Sequence, residues 1–243
     1  MKKSDLKLYG LLFGLCSALV LMCAFMMPKF PAYTQEPMDT QNTDENTPTF
    51  SGDDVPLVVI DPGHGGYDEG GRSEDGRIVE NVYDLMMSNK IKALLEKEGI
   101  KVIMTRTSEE VSWSDRNVED LQARIDIADN AHADLMVSIH CNSNDEDPLN
   151  VTGSEVYVNT KQTGSTSLGE SIVEALNDLQ PTLTSRGIRH GALHLLTYNS
   201  VPTAIVEMAF LSNPNDVEFL CNEDNQNLMC EKIAEGIINE LKK

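Results

Sequence analysis

Two histidines stand where apolar runs end. Leu57–Ile60 leads into Asp61-Pro62-Gly63-His64-Gly65-Gly66, and Leu135–Ile139 leads into His140-Cys141-Asn142-Ser143. A third apolar run, Thr203–Phe210, is interrupted by a single carboxylate, Glu207. Imidazoles and carboxylates at strand ends can hold a divalent metal or move a proton. A buried carboxylate is costly without a partner, so Glu207 calls for a metal, a cation or a catalytic task. An ion pair with Arg124 or Arg189 is its plain alternative. A catalytic zinc typically takes three protein ligands and keeps one position open. With two histidines in hand, Asp68, Glu69, Glu74, Asp75, Glu80 and Glu207 all remain open as the third donor.

Other chemistries fit less well. A P-loop requires GxxxxGK[ST] and a dinucleotide fingerprint requires GxGxxG opening a helix. The turn at Gly63–Gly66 matches neither and runs on into the polar Tyr67–Arg77. Arg189-His190-Gly191 has the residue order of the histidine phosphatases, but it follows the polar loop Thr184–Gly187 and not a buried strand. His132 lies between alanines on a helix and reads as a surface residue. His194 opens a short apolar run and could line the cleft. Successive strand residues point to opposite faces, so if His140 faces the site Cys141 packs into the core.

The elements that must position these groups alternate. Strand-like runs are Val55–Ile60, Lys101–Thr105, Leu135–Ile139, Glu155–Val158, Leu193–Thr197 and Thr203–Phe210. Between them lie helical patterns at Val79–Glu98, stopped by Gly99, at Val118–Ala131 and at Ser165–Leu179 before Pro181. Asn213-Pro214 predicts a capped short helix, and Asn227–Leu241 a closing one. This order predicts a single α/β domain with a central, mostly parallel sheet of about six strands flanked by helices, preceded by an N-terminal membrane segment. Ligands of such sheets sit beyond the carboxyl ends of the strands, where both histidines fall.

The chain has 243 residues and a net charge of −20. Residues 1–28 carry +2 and residues 29–54 carry −5, which leaves −17 on the domain from residue 55 to 243. Such acidity argues against a nucleic-acid partner and against electrostatic docking on anionic lipid. Leu8–Met27 is uncharged, mostly apolar and preceded by Lys2, Lys3 and Lys7, so residues 1–28 read as a membrane anchor, with a cleaved export signal as the alternative. Large residues at the −3 positions disfavour cleavage. Either reading places the remainder outside the cytoplasm, membrane-anchored or secreted. Residues 29–54, rich in Pro, Thr, Asn and acid, read as a flexible linker. Cys141, Cys221 and Cys230 are an odd set within the domain and suggest no disulfide framework.

Four segments in order, VVIDPGHGGYDEG, ENVYDL, LQARIDIADNAHADLMVSIHCNS and PTAIVEMAFLSNPND, resemble the zinc-dependent N-acetylmuramoyl-L-alanine amidases of the Amidase_3 type. The resemblance runs from about Val55 to the C-terminus, and the overall layout is similar to that of sporulation amidases that prepare spore cortex. It implies Zn2+ held by His64, Glu80 and His140, with Glu207 as the catalytic glutamate. It further implies peptidoglycan as the partner, cleaved between N-acetylmuramic acid and L-alanine. Beside these, Asp61 is expected to accept the second ring N–H of a ligand histidine, and Asn142 and Ser143 to bond substrate. Arg124 is expected to tie two helices together. Cys141 stands where the family commonly has a small alanine, and Met208-Ala209 replaces a smaller pair. A non-catalytic wall-binding relative would lack one of the four key residues, and all four are filled. No separate wall-binding repeat is read in the sequence, so a partner or the N-terminal segment is expected to supply targeting; an activator protein is a further candidate partner, and the oligomeric state is left open.

Overall fold

The computed structural model describes residue 50 and residues 55–243. The anchor reading of residues 1–28 and nearly all of the linker reading of residues 29–54 lie outside the described residues. Phe50, assigned to the linker, donates its N–H to the Glu98 carbonyl and packs on the domain core. Among the described residues no helix is long and apolar enough to cross a membrane.

Six strands form one sheet: β1 (Leu57–Pro62), β2 (Lys101–Met104), β3 (Leu135–Asn142), β4 (Ser154–Val158), β5 (Ser185–His190) and β6 (Thr203–Phe210), in the order β2-β1-β3-β6-β4-β5. All neighbours are parallel except β4 and β6. The α-helices among the described residues are α1 (Glu80–Lys97), α2 (Asn117–Ala131), α3 (Ser165–Leu176), α4 (His194–Tyr198), α5 (Pro214–Cys221) and α6 (Glu223–Leu241).

Strands β1, β3 and β6 are buried on both faces, which explains their nearly unbroken apolar runs. Side chains alternate between two cores. Val58, Ile60, Val137, Ile139, Cys141, Ala204, Val206 and Met208 join the larger core with α1, α3, α5 and α6. Val59, Met136 and Ile205 join a smaller one with Ile125 of α2 and Leu195 and Leu196 of α4. By the same period of two, Asp61, Ser138, His140 and Glu207 share the face of the smaller core.

Helix ends follow local chemistry. Gly99 follows the end of α1 with φ of 84°, a left-handed conformation that glycine takes at little cost. Asn213 accepts N–H bonds from Asn215 and Asp216 ahead of Pro214. Helix α6 begins one turn before the expected Asn227, because Asn222 accepts from the Asn225 N–H and caps a polar first turn. The Ser165–Leu179 pattern divides into α3 and a 3-10 turn, Asn177–Leu179.

Two expectations are corrected. Leu193–Thr197 is not a strand: α4 occupies it, laying Leu195 and Leu196 on the smaller core. The sheet's sixth strand is instead β5, Ser185–His190, which begins inside the expected polar loop Thr184–Gly187. An edge strand tolerates, and is protected by, charged residues that a central strand would not accept.

Candidate metal centre

The first histidine is presented by a strained, heavily braced turn. His64 has φ of 58°, unusual for a non-glycine residue. Two arginines hold the carbonyls on either side of it. Arg106 donates to the Pro62 and Gly63 carbonyls at 3.1 and 2.5 Å, and to the Asn81 carbonyl at 2.7 Å. Arg124 donates to the Pro62 and His64 carbonyls at 2.8 and 2.6 Å. Arg124 is buried with Asp61 and Asp120, at 2.8 and 2.9 Å. Its role is structural, but it ties α2 to β1 and the following turn rather than joining two helices.

Asp61 does not reach a histidine ring. Its oxygens accept from Thr105 Oγ1 at 2.5 Å, Arg124 Nη1 at 2.8 Å and Ser138 Oγ at 2.6 Å, which uses the carboxylate in bracing. Burial opposes the charge, but Arg124 and the two hydroxyls hold the Asp61 carboxyl below its ordinary value. The carboxylate beside the His64 ring is instead that of Asp68, whose Oδ2 lies 2.8 Å from Nδ1. The chain doubles back through a Gly65–Asp68 bridge to put it there, and the Gly70 N–H steadies its other oxygen.

The remaining nitrogen of His64 faces Glu80. Nε2 is 3.0 Å from Glu80 Oε1 and 3.2 Å from His140 Nδ1, and His140 Nδ1 is 3.3 Å from Glu80 Oε1. Glu80 opens α1, where the backbone N–H groups of Gly71 and Cys141 fix its two oxygens at 2.5 and 3.0 Å. Burial alone would raise its pKa, but His140 and His64 hold the Glu80 carboxyl well below the usual range. Burial opposes protonation of His64, while Glu80 and Asp68 raise its pKa to about 9. Two ring nitrogens and a carboxylate oxygen thus converge, the donor set that zinc prefers. The space is kept open by glycine. A Cβ on Gly63 would come within 2.2 Å of the His140 ring, and one on Gly70 within 2.8 Å of both His64 and Glu80.

Glu207 lies across from His140 in the β3–β6 register. Its Oε2 is buried without a hydrogen-bond partner. Burial pushes its pKa up to about 7, opposed by the nearby His140. The alternative ion pairs are absent, because Arg124 is spent on Asp61 and Asp120 and Arg189 on Glu155.

One member of the cluster escaped sequence reasoning. Asp84 is fully buried, 4.0 Å from His140 Nδ1, and neither of its oxygens meets a nitrogen or oxygen at hydrogen-bond distance. Burial, with Glu80 and Glu207 close by, raises its pKa well above the ordinary value. With His64, Glu80 and His140 it forms a group whose ligand atoms lie within 4.8 Å of one another. The signal was its spacing, four residues after Glu80 on one helical face. Cys141 turns into the larger core, opposite His140. Asn142 is half-buried and donates to Glu155 at 3.1 Å, while Ser143 is exposed and its Oγ lies 3.3 Å from Asp145. His132 is exposed at the end of α2, and His194 packs at a tilt on Tyr198, its Nε2 buried with no hydrogen-bond partner among the described residues.

Sequence and fold comparisons identify the family. Residues 58–239 match the Amidase_3 family, N-acetylmuramoyl-L-alanine amidase, and the chain belongs to that family. It is 32% identical over 182 residues to a probable cell wall amidase LytH of Staphylococcus saprophyticus, covering 74% of this chain and 56% of the relative. The match thus spans little more than half of that relative's length. It is 27% identical over 189 residues to the germination-specific N-acetylmuramoyl-L-alanine amidase of Bacillus subtilis, covering 75% and 78%. Among solved structures, the amidase AmiC2 of Nostoc punctiforme superposes with a TM-score of 0.69 at 33% identity, covering 77% of this chain and 98% of that one. The CwlD amidase of Clostridioides difficile, solved in complex with the GerS lipoprotein, gives 0.70 at 27% identity, covering 77% and 98%.

Proposed function

We propose that this domain hydrolyses the amide bond between N-acetylmuramic acid and L-alanine in peptidoglycan, with zinc held by His64, Glu80 and His140. The observation that carries the reading is the convergence of those three donors within 3.0–3.3 Å of one another, beside the half-buried Glu207, whose Oε2 is buried with no hydrogen-bond partner among the described residues. Zinc bound there would polarise the scissile carbonyl and acidify the attacking water.

The chain's own groups supply the rest. Glu207 removes a proton from the water as it attacks, and returns a proton to the leaving amine nitrogen. A carboxyl whose pKa is raised by burial suits both directions near neutral pH. Asp68 holds the His64 ring in one orientation through Nδ1, so that Nε2 faces the donor cluster. Glu80 is held by two backbone N–H groups, which leaves little freedom for its carboxylate to swing away.

The wider setting follows from the same reading. The domain acts outside the cytoplasm on wall or spore-cortex peptidoglycan, tethered by residues 1–28. A partner protein is proposed by analogy with the CwlD–GerS complex. The test is digestion of purified peptidoglycan by the zinc-loaded chain, with mass spectrometry for new L-alanine amino termini. Chelator-sensitive release is expected. Glu207→Gln should retain zinc and lose turnover by about 10²-fold or more. A Glu207→Gln enzyme of near-normal activity would sink the role given to this residue.

A further inference from the structure

The face that bears His140 and Glu207 continues across β4 to the sheet edge. Glu155 lies directly opposite Glu207 in the antiparallel β4–β6 pair, so the two side chains share that face. Glu155 is buried, yet it is surrounded by donors from three strands. Its Oε1 takes Arg186 Nε at 2.6 Å and Arg189 Nε and Nη2 at 3.0 Å each. Its Oε2 takes Asn142 Nδ2 at 3.1 Å and Tyr157 OH at 3.3 Å.

Two guanidiniums are more than one buried carboxylate requires. One would neutralise it; the second leaves a surplus positive charge beside the site, in a domain that carries −17 overall. Arg186 Nη1 and Nη2 have no partner among the described residues, and the two arginine side chains are 30% and 38% exposed. The Arg186 guanidinium also lies 5.4 Å over the Phe210 ring, which fixes its plane.

The backbone is bent to produce this pair. In a regular strand, residues three apart face opposite sides. Here Ser185 pairs with Ser154 and Ile188 with Val156, so β5 carries one extra residue in that interval. Gly187 takes φ of 77° there, and a Cβ on it would meet nothing within 4 Å. The glycine therefore serves the bulge conformation rather than close packing. The bulge brings Arg186 and Arg189 to the same carboxylate.

We propose that Arg186 and Arg189, set on Glu155, form a subsite for a carboxylate on the peptide arm of the substrate. The proposal rests on the amidase reading above and names what that site selects. Two inter-strand steps separate β5 from β6, about 10 Å. An extended peptide covers that in about three residues at roughly 3.5 Å each. A carboxylate on the first few residues beyond the scissile amide can therefore reach the pair while the amide lies at Glu207. Glu155 acts as a positioning residue, through the arginines.

The test compares two soluble substrates with the zinc-loaded full chain. One is a muramoyl dipeptide whose second residue is glutamate with both carboxylates free; the other has both amidated. The wild-type enzyme should prefer the free acid by about tenfold in kcat/KM, mainly through KM, as expected for one charge-assisted hydrogen bond. Arg186→Gln and Arg189→Gln should lower that ratio towards unity, and Arg189→Lys should keep part of it. Calorimetry of both compounds with the Glu207→Gln chain should show the same preference in binding. Equal kcat/KM for the two substrates with wild-type enzyme overturns the subsite while leaving the amidase reading intact, and needs no variant to fold. Cleavage of neither substrate nor peptidoglycan by the folded, zinc-loaded chain overturns the amidase reading and the subsite with it.

Discussion

Replacing Gly63 with alanine perturbs the metal centre with one methyl group. The added Cβ would stand 2.2, 2.5 and 2.6 Å from three atoms of the His140 ring, where ordinary contact begins at 3.4 Å. The ring must retreat by about 1 Å, several times the roughly 0.2 Å tolerance of a metal–ligand bond. Gly63 is not in the left-handed backbone region, so alanine adds no conformational strain there. It has little room to move the other way, because its N–H is bonded to the Ile139 carbonyl at 2.9 Å and its carbonyl to Arg106. Zinc affinity should therefore fall by about 100-fold or more while the fold survives. Competition against a chromophoric chelator measures the affinity, and a thermal melt of the zinc-free protein checks the fold. Gly76→Ala is the control: its φ of 71° brings backbone strain, but the new Cβ meets nothing within 4 Å. It should cost about 1 kcal/mol of stability and leave zinc binding alone. A Gly63→Ala protein that binds zinc within a few-fold of wild type would refute the argument that His140 is positioned against that glycine.

Two further outcomes follow from the network. With no ion bound, His64 has its pKa raised to about 9, so at pH 7 it holds a proton that zinc must displace. Apparent zinc affinity should rise about tenfold per pH unit from 7 to 9 and then level, with proton release visible by calorimetry in buffers of different ionisation enthalpy; uptake without release at pH 7 contradicts this. Arg124→Met leaves Asp61 and Asp120 buried without their cation and should cost about 3–5 kcal/mol, read as a fall in Tm of about 10 °C. Because the folded Asp61 pKa lies below 3.8, the stability it contributes is full above that value and is lost as pH falls through the folded pKa. The gap between wild type and Arg124→Met should accordingly narrow below about pH 4, and a gap that is constant with pH would count against the Asp61 pair.

The parts of the fold that were legible are those where one physical demand dominates. Strands β1, β3 and β6 are buried on both faces, so their sequences can hardly be anything but apolar. The edge strand β5 answers to different demands, a charged rim and a bulge, and its first residues, Ser185–Gly187, therefore read as loop. Leu193–Thr197 was misread because a five-residue apolar run has no decisive period; only packing on Ile125 and Ile205 selects the helix. At the centre, His64, His140 and Glu207 were visible as polar residues ending or breaking apolar runs. Glu80 among several acids was not separable by spacing, since only the return of the chain at Gly71 presents it to the histidines. Asp68 takes the ring-bonding role expected of Asp61 for the same reason: the Gly65–Asp68 turn-back is a tertiary fact.

The grip of Arg106 and Arg124 on the carbonyls of Pro62, Gly63 and His64 has a consequence for how the protein matures. Those bonds use only groups of the protein, so on the zinc reading proposed above the turn is expected to take its shape as the chain folds, ahead of the metal. Small zinc modules whose chain collapses only around the ion follow the opposite order. On that reading a chain built this way folds first and takes its ion from its surroundings afterwards. Metal supply would then govern how much of the folded population is competent, and a starved pool could be revived without new synthesis.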